Sequence, residues 1–292
     1  MTIVSLYDTA YSRWRRPQFE GLYDKTELNG VALDAFASAE EYLSDFQRFR
    51  TAAIRCSVLS GWSSHDVLYD IFFRLNSGSV PLTGQELRQV FYTGGLADFL
   101  FRVTEQHNPI QLVLRIPGPD PRFADSELIL RLLAFMLGVL QYTGDMKLFL
   151  DGTMKRINGT WDEMAENVEA HYGRILQAFR VLDILVQLPN VGRRPSDGER
   201  FDGRFNRALF EVQVYYFAMN PIAEGVAQGQ SGAYRQALSE LLQDQDFKQS
   251  IEATTKSVAR VQTRFQRYRQ MLSDVFEIDF TAFPNIVERA GA

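Results

Sequence analysis

The sequence has one cysteine, three histidines and no long uninterrupted hydrophobic run. The lone Cys56 excludes an intramolecular disulfide and favours a reducing cytosol. The histidines lie far apart and lack the paired spacing of a zinc site. The longest apolar run, residues 128–140, is interrupted by Arg131 and is too short to cross a bilayer. These absences predict a cytoplasmic protein with no membrane partner and no metal site.

The chain also lacks an excess of basic residues. Its 36 acidic and 31 basic residues give a formal net charge of −5, which leaves only a local basic patch for binding nucleic acid. No Gly-x-Ser-x-Gly elbow, Walker loop or Gly-x-Gly-x-x-Gly turn occurs. The residues alone therefore predict no complete catalytic set.

What the sequence does contain is a series of segments with hydrophobic residues at helical spacing. Helices are predicted over residues 2–14, 38–50, 63–75, 83–94, 127–142, 145–156, 161–188, 205–219, 231–243 and 246–276. The best strand candidate, residues 52–59, is short and rich in β-branched and apolar side chains. The fold class predicted is mainly α, a multi-helix domain with a small α+β portion near the N-terminus.

The loop at residues 190–202, rich in Gly, Pro, Arg and Asp, is the predicted domain boundary. It would separate a domain of residues 1–190 from a C-terminal helical subdomain of residues 191–292 that packs on the first. The same composition also fits a long surface loop within one domain. Arg193 and Arg194 give this loop a weak basic character.

The stretch from Ile71 to Arg88 predicts a helix end, a polar turn and a new helix. Asn76 stands where the first helix should end, and Thr83 and Glu86 have the spacing of a capping box. One interpretation is a capped helix-turn-helix and nothing more. The other is an anion site, in which the backbone of residues 77–79 cradles the anion and Arg74 supplies positive charge.

Two further features each have a structural and a functional interpretation. Arg131, inside the apolar helix, must be paired or reach the surface, so it either holds a carboxylate such as Glu86 or Asp125 or binds a phosphate. The last helix has a basic face that either is simply solvated or binds nucleic acid or an acidic protein. The residues of this face are Lys256, Arg260, Arg264 and Arg267.

The 70–88 segment resembles the second signature of the GmrSD restriction endonuclease N-terminal domain family. That signature is Phe-x-x-x-Asn followed by a Leu-x-x-x-Glu-Leu-Arg helix. It is matched here by Phe72, Asn76, Leu82, Glu86, Leu87 and Arg88. Segments similar to family positions also occur in order along nearly the whole chain, at residues 19–30, 127–135, 142–150, 204–210 and 254–264. Family members are GmrS-like, with a ParB/sulfiredoxin-like nucleotidase core, so the resemblance implies a remnant of that core near the N-terminus.

The family's first signature, Asp-Gly-Gln-Gln-Arg, is absent, as is the His-Asn-His nuclease domain of its larger members. The resemblance therefore implies either a split gene, in which a small partner chain carries the missing motif, or a start upstream of Met1. It implies an NTP cofactor, with Mg²⁺, bound only when the partner completes the site. The chain alone would not be an active enzyme.

The function implied is the helical part of an NTP-binding regulatory module in restriction or anti-phage defence. Arg74 and Asn76 would bind the nucleotide. The supporting residues would be Phe72, Glu86, Arg88 and Arg131. The alternative is a non-enzymatic subunit that binds DNA or protein through its basic last helix and the 190–204 loop.

Overall fold

The computed structural model describes residue 19, residues 24–53, the single residues 61, 67, 71 and 74, and residues 82–105, 108–197, 200–253 and 255–286. The chain divides into two compact units, Met1–Ser79 and Val80–Ala292. The boundary predicted between residues 190 and 191 lies inside the second unit. The predicted helix 2–14, most of the predicted strand 52–59 and most of the predicted helix 63–75 lie outside the described residues, as does Cys56.

In the first unit, residues 24–53 form two short α-helices, α1 (Leu33–Ser38) and α2 (Leu43–Thr51). Phe36 is almost fully buried, and the rings of Phe19 and Phe46 pack against it edge to face. An isolated bridge joins Phe19 to Asn29. The described residues of this unit hold no strand, so they do not support the small α+β portion predicted near the N-terminus.

The second unit is built almost entirely of helices, which confirms the mainly α prediction. In chain order its helices are α3 (Gly84–Phe91), α4 (Gly95–Glu105), α5 (Pro109–Leu114), α6 (Ala124–Leu137), α7 (Met146–Gly159), α8 (Trp161–Val186), α9 (Arg207–Met219), α10 (Glu224–Leu241), α11 (Gln245–Glu252) and α12 (Val258–Phe276). Across residues 24–53, 82–105 and the later described ranges, none of the helices combines the length and apolar character that crossing a membrane requires.

Helix α9 lies at the centre of this unit. Residues 208–218 are all buried, as expected for a helix that is apolar on nearly every side and packs against α6, α8 and α12. Its two buried polar residues, Glu211 and Gln213, both have partners. The Gln213 side chain accepts from the Gly192 amide at 2.7 Å and donates to the Tyr234 hydroxyl at 3.2 Å. Satisfying these groups offsets the cost of burying them.

The start of α3 confirms the predicted capping box. The Thr83 hydroxyl accepts from the Glu86 amide at 3.1 Å, and the Glu86 carboxylate accepts from the Thr83 amide at 2.6 Å. We expect Thr83→Ala to lower the free energy of unfolding by about 1 kcal/mol, because it removes the acceptor of an otherwise unpaired helix amide. Urea denaturation of the two proteins checks this value. Thr83→Ser, which keeps the hydroxyl, should restore most of the loss.

Several segments differ from the sequence prediction. No helix was predicted over α4 or α5, and α10 begins at Glu224 rather than at residue 231. The helix predicted over 246–276 is two helices, α11 and α12, because Ser257 caps α12 and the Lys256 carbonyl accepts a hydrogen bond from the Tyr142 hydroxyl. The loop 190–202 contains a short antiparallel hairpin of β1 (Pro195–Asp197) and β2 (Arg200–Phe201). The sequence Asp197-Gly198, a common hairpin signal, could have indicated it.

Candidate functional site

Of the two nucleotide-binding residues predicted from the resemblance, the structure describes Arg74 but not Asn76. Arg74 is helical and exposed in the first unit. Phe72 and Asn76 lie outside the described residues, so the structure gives no geometry for them. His65 and His107 are outside as well. Within the described part of the chain, no group of three or more His, Cys, Asp or Glu side chains is placed to hold a metal ion.

Three of the predicted supporting residues, Glu86, Arg88 and Arg131, lie in the second unit. Glu86 has two roles, since its carboxylate completes the capping box and also forms an ion pair with Arg122 at 3.2 Å. Arg88 is buried, and its Nε donates to the Asp151 carboxylate at 2.7 Å. Both side chains thus tie α3 to other elements of the unit.

Arg88 and Arg131 belong to one ion-pair network that runs through the interior. Glu127 joins them, with one carboxylate oxygen 3.6 Å from Arg88 Nη1 and the other 3.6 Å from Arg131 Nη1. The Arg131 guanidinium then pairs with Glu211 of α9, which is completely buried. The paired interpretation of Arg131 is confirmed, but its partners are Glu127 and Glu211 rather than the expected Glu86 or Asp125.

Arg264 forms the far end of the network. Its Nη2 donates to the second Glu211 oxygen at 2.7 Å, and its Nη1 donates to the Thr255 carbonyl at 2.6 Å. Burial by itself would raise the pKa of Glu211, but the charges and hydrogen bonds of Arg131 and Arg264 outweigh burial and hold that pKa below its ordinary value. Glu211 is therefore an ionised carboxylate clamped between two guanidinium groups.

The position of Arg264 corrects the prediction for the last helix. Arg264 is 1% exposed, so it is part of the interior and not of an exposed basic face. The helix turns it inward because Glu211 supplies a buried charge for it to pair with. The three other residues of the predicted face lie nearer to solvent, and two of them have polar partners: Arg260 donates to Gln249 at 2.7 Å and Arg267 to Asp246 at 3.1 Å. Lys256 is exposed just before α12.

The loop before α9 carries a buried arginine that sequence reasoning gave only a weak role. The Arg193 guanidinium donates to the carbonyl oxygens of Val113 at 2.7 Å and Pro189 at 2.8 Å, and it lies over the Phe205 ring, 5.5 Å from its centroid. Burial lowers the pKa of Arg193, and the charge of Arg115 adds to this effect. In the described residues no carboxylate forms an ion pair with Arg193, whose guanidinium is bound by backbone carbonyl oxygens instead.

Comparison with protein-family models, with curated proteins and with solved structures gave no match.

Proposed function

We propose that this chain is the helical part of a GmrS-like, NTP-binding regulatory module that acts in restriction or anti-phage defence. A partner chain supplies the Asp-Gly-Gln-Gln-Arg motif, and Arg74 and Asn76 supply the other side of the nucleotide site. Arg74 offsets phosphate charge, and Asn76 hydrogen-bonds the nucleotide or orients a water molecule. The cofactor is an NTP with Mg²⁺, and hydrolysis requires both chains. The remnant of a ParB/sulfiredoxin-like core near the N-terminus is part of this proposal.

One observation supports it more than any other. Residues from segments that resemble the family, though far apart in sequence, belong to one buried network: Arg88 from the second signature, Glu127 and Arg131 from the 127–135 segment, and Arg264 from the 254–264 segment. Such a network holds Arg88, a residue of the second signature, in a fixed position within the second unit. Buried, paired supporting side chains are what a preorganised binding site requires.

The alternative, a DNA- or protein-binding subunit that uses the last helix, has less support. With Arg264 in the interior and Arg267 paired with Asp246, the last helix offers less free positive charge than its sequence indicates. The second part of that alternative is the 190–204 loop, and Arg204 at its end and Arg207 just after it are exposed. Exposed arginines around this loop, rather than α12, are where an anionic partner would bind.

The nucleotide proposal is tested first by two observations: the sequence of the DNA next to the gene, and NTP binding to the purified chains. An adjacent or overlapping reading frame that encodes Asp-Gly-Gln-Gln-Arg supplies the partner, and calorimetry of the two chains together should then detect NTP binding. In the reconstituted pair, Asn76→Ala should lower hydrolysis about tenfold or more, since a hydrogen bond to a charged group is lost.

The matched control is Asn167→Ala, an exposed asparagine on α8, which should leave hydrolysis unchanged. Unchanged hydrolysis in Asn76→Ala would remove that residue from the site. The whole proposal fails when no such reading frame exists and no candidate partner confers nucleotide binding.

A further inference from the structure

A cleft of about 570 Å³ opens where the 190–204 loop meets the start of α9. The residues that line it are Arg194, Arg204, Phe205, Asn206, Arg207, Ala208, Ile251, Glu252 and Thr255. Its volume falls within the range of about 300–1,000 Å³ that is common for small-molecule sites. Three arginines against one glutamate make its lining positive, although the whole chain is acidic.

The arginines of the cleft differ in how they are held. Arg194 pairs with Glu252, which neutralises both charges and fixes that side chain on one wall. Arg204 and Arg207 are exposed, and neither forms an ion pair with any residue in the described ranges. Among the described residues, therefore, no carboxylate offsets the charge of these two guanidinium groups of the cleft. Guanidinium groups bind phosphate oxygens through paired, charge-assisted hydrogen bonds.

The backbone around the cleft is held rigidly. Arg193 binds two carbonyls from the interior and lies over Phe205, next to Arg204 in the chain. Asn206 caps α9 by accepting from the Leu209 amide at 3.0 Å, and it donates to the Ile251 carbonyl at 2.9 Å. The N-terminal end of α9, which carries the positive end of the helix dipole, therefore faces the cleft in a fixed orientation.

We propose that this cleft binds the phosphates of a small di- or triphosphate, either free or as part of a nucleotide. The guanidinium groups of Arg204 and Arg207, which have no ion-pair partner among the described residues, and the N-terminus of α9 favour a compact anion with several charges. The size of the cleft favours a small molecule over a nucleic-acid strand, and the net charge of −5 opposes a long polyanion on the rest of the surface. This site is formed entirely by residues of the second unit and needs no partner chain.

The test is calorimetry of the full chain, without a partner, against inorganic pyrophosphate, ATP and a single-stranded oligonucleotide. We expect pyrophosphate and ATP to bind. The double variant Arg204→Ala/Arg207→Ala should weaken both by about tenfold or more, because each arginine loses charge-assisted hydrogen bonds to phosphate. Both side chains are exposed, so the fold should be unaffected, and circular dichroism checks this.

The matched control is Arg156→Ala/Arg174→Ala, which removes two exposed arginines from α7 and α8 and should change affinity less than twofold. If Arg204→Ala/Arg207→Ala weakens the binding of pyrophosphate and ATP equally, the cleft recognises the phosphates. If wild type binds ATP but not pyrophosphate, and the variant weakens ATP binding, the ligand is a nucleotide. The proposal is overturned if neither ligand binds, if both double variants behave alike, or if only the oligonucleotide binds. Since the partner chain is absent, none of these outcomes bears on Arg74 and Asn76.

Discussion

Replacing Glu211 by glutamine is expected to destabilise the protein by about 3–5 kcal/mol, because breaking a buried ion pair leaves an uncompensated charge in the interior. The carboxylate is completely buried and accepts from both Arg131 and Arg264. With a neutral amide in its place, Arg131 keeps Glu127 at 3.6 Å, but among the described residues Arg264 keeps only the Thr255 carbonyl and the Phe265 ring. Urea denaturation at neutral pH measures the loss.

The control is the same substitution in an ion pair at the surface. Glu169 lies 3.2 Å from Arg102, and both side chains are more than half exposed. Glu169→Gln should therefore cost about 1 kcal/mol or less. A loss in Glu211→Gln no larger than in Glu169→Gln would show that water reaches the two guanidinium groups and that the network is not a closed part of the interior.

The same carboxylate should give the protein a characteristic acid sensitivity. Because the folded pKa of Glu211 is lowered, its stabilising contribution is complete above the ordinary pKa of 4.5 and is lost as the pH falls through the folded value. The free energy of unfolding of the natural chain should therefore decline below pH 4.5, and that of Glu211→Gln should decline less. Parallel curves for the two proteins would assign the acid sensitivity to other carboxylates.

The features that the sequence predicted well depend on residues close together in the chain. The capping box at Thr83 and Glu86 is confirmed because both partners lie within four positions and need no other element. The long helix predicted over 161–188 is α8, Trp161–Val186, for the same reason. Periodicity and caps are local signals, and they gave the mainly α fold.

Partners across the fold could not be predicted in this way. Arg131 was expected to hold a carboxylate such as Glu86 or Asp125, but its buried partner is Glu211, which lies 80 positions away. Arg264 has the helical spacing of a basic surface face, and only the position of α9 turns it inward. The partner of a buried charged side chain lies on another helix, so its identity depends on tertiary packing and not on the local sequence pattern.

The cleft was only partly visible in the sequence. Arg193 and Arg194 gave the loop its basic character, yet the structure assigns them different tasks: Arg193 anchors the loop in the interior, and Arg194 is neutralised by Glu252. The two arginines with uncompensated charge, Arg204 and Arg207, had no local signal to distinguish them. Arg204 and Arg207 line the cleft because the loop and the start of α9 lie side by side there.

Replacing Gly192 by alanine is expected to cost about 3 kcal/mol, the sum of a left-handed backbone and an overpacked interior. Gly192 has a φ of +72°, and an added Cβ would lie 2.5 Å from the Phe205 ring and 3.1 Å from Phe210 Cβ. Phe205 cannot move away freely, since it packs on Phe210 and lies under Arg193. Thermal or urea unfolding of the variant measures the loss.

Gly203, in the same loop, provides the matched control. Its φ lies outside the left-handed range and an added Cβ would meet nothing within 4 Å, so Gly203→Ala should be neutral or should stabilise the protein by about 0.4–1 kcal/mol through the unfolded state. Because Phe205 lines the anion cleft, Gly192→Ala should also weaken pyrophosphate binding, and Gly203→Ala should not. Equal stability of the two variants would mean that Phe205 is not held in place, and the rigid cleft wall inferred from its contacts would then be wrong.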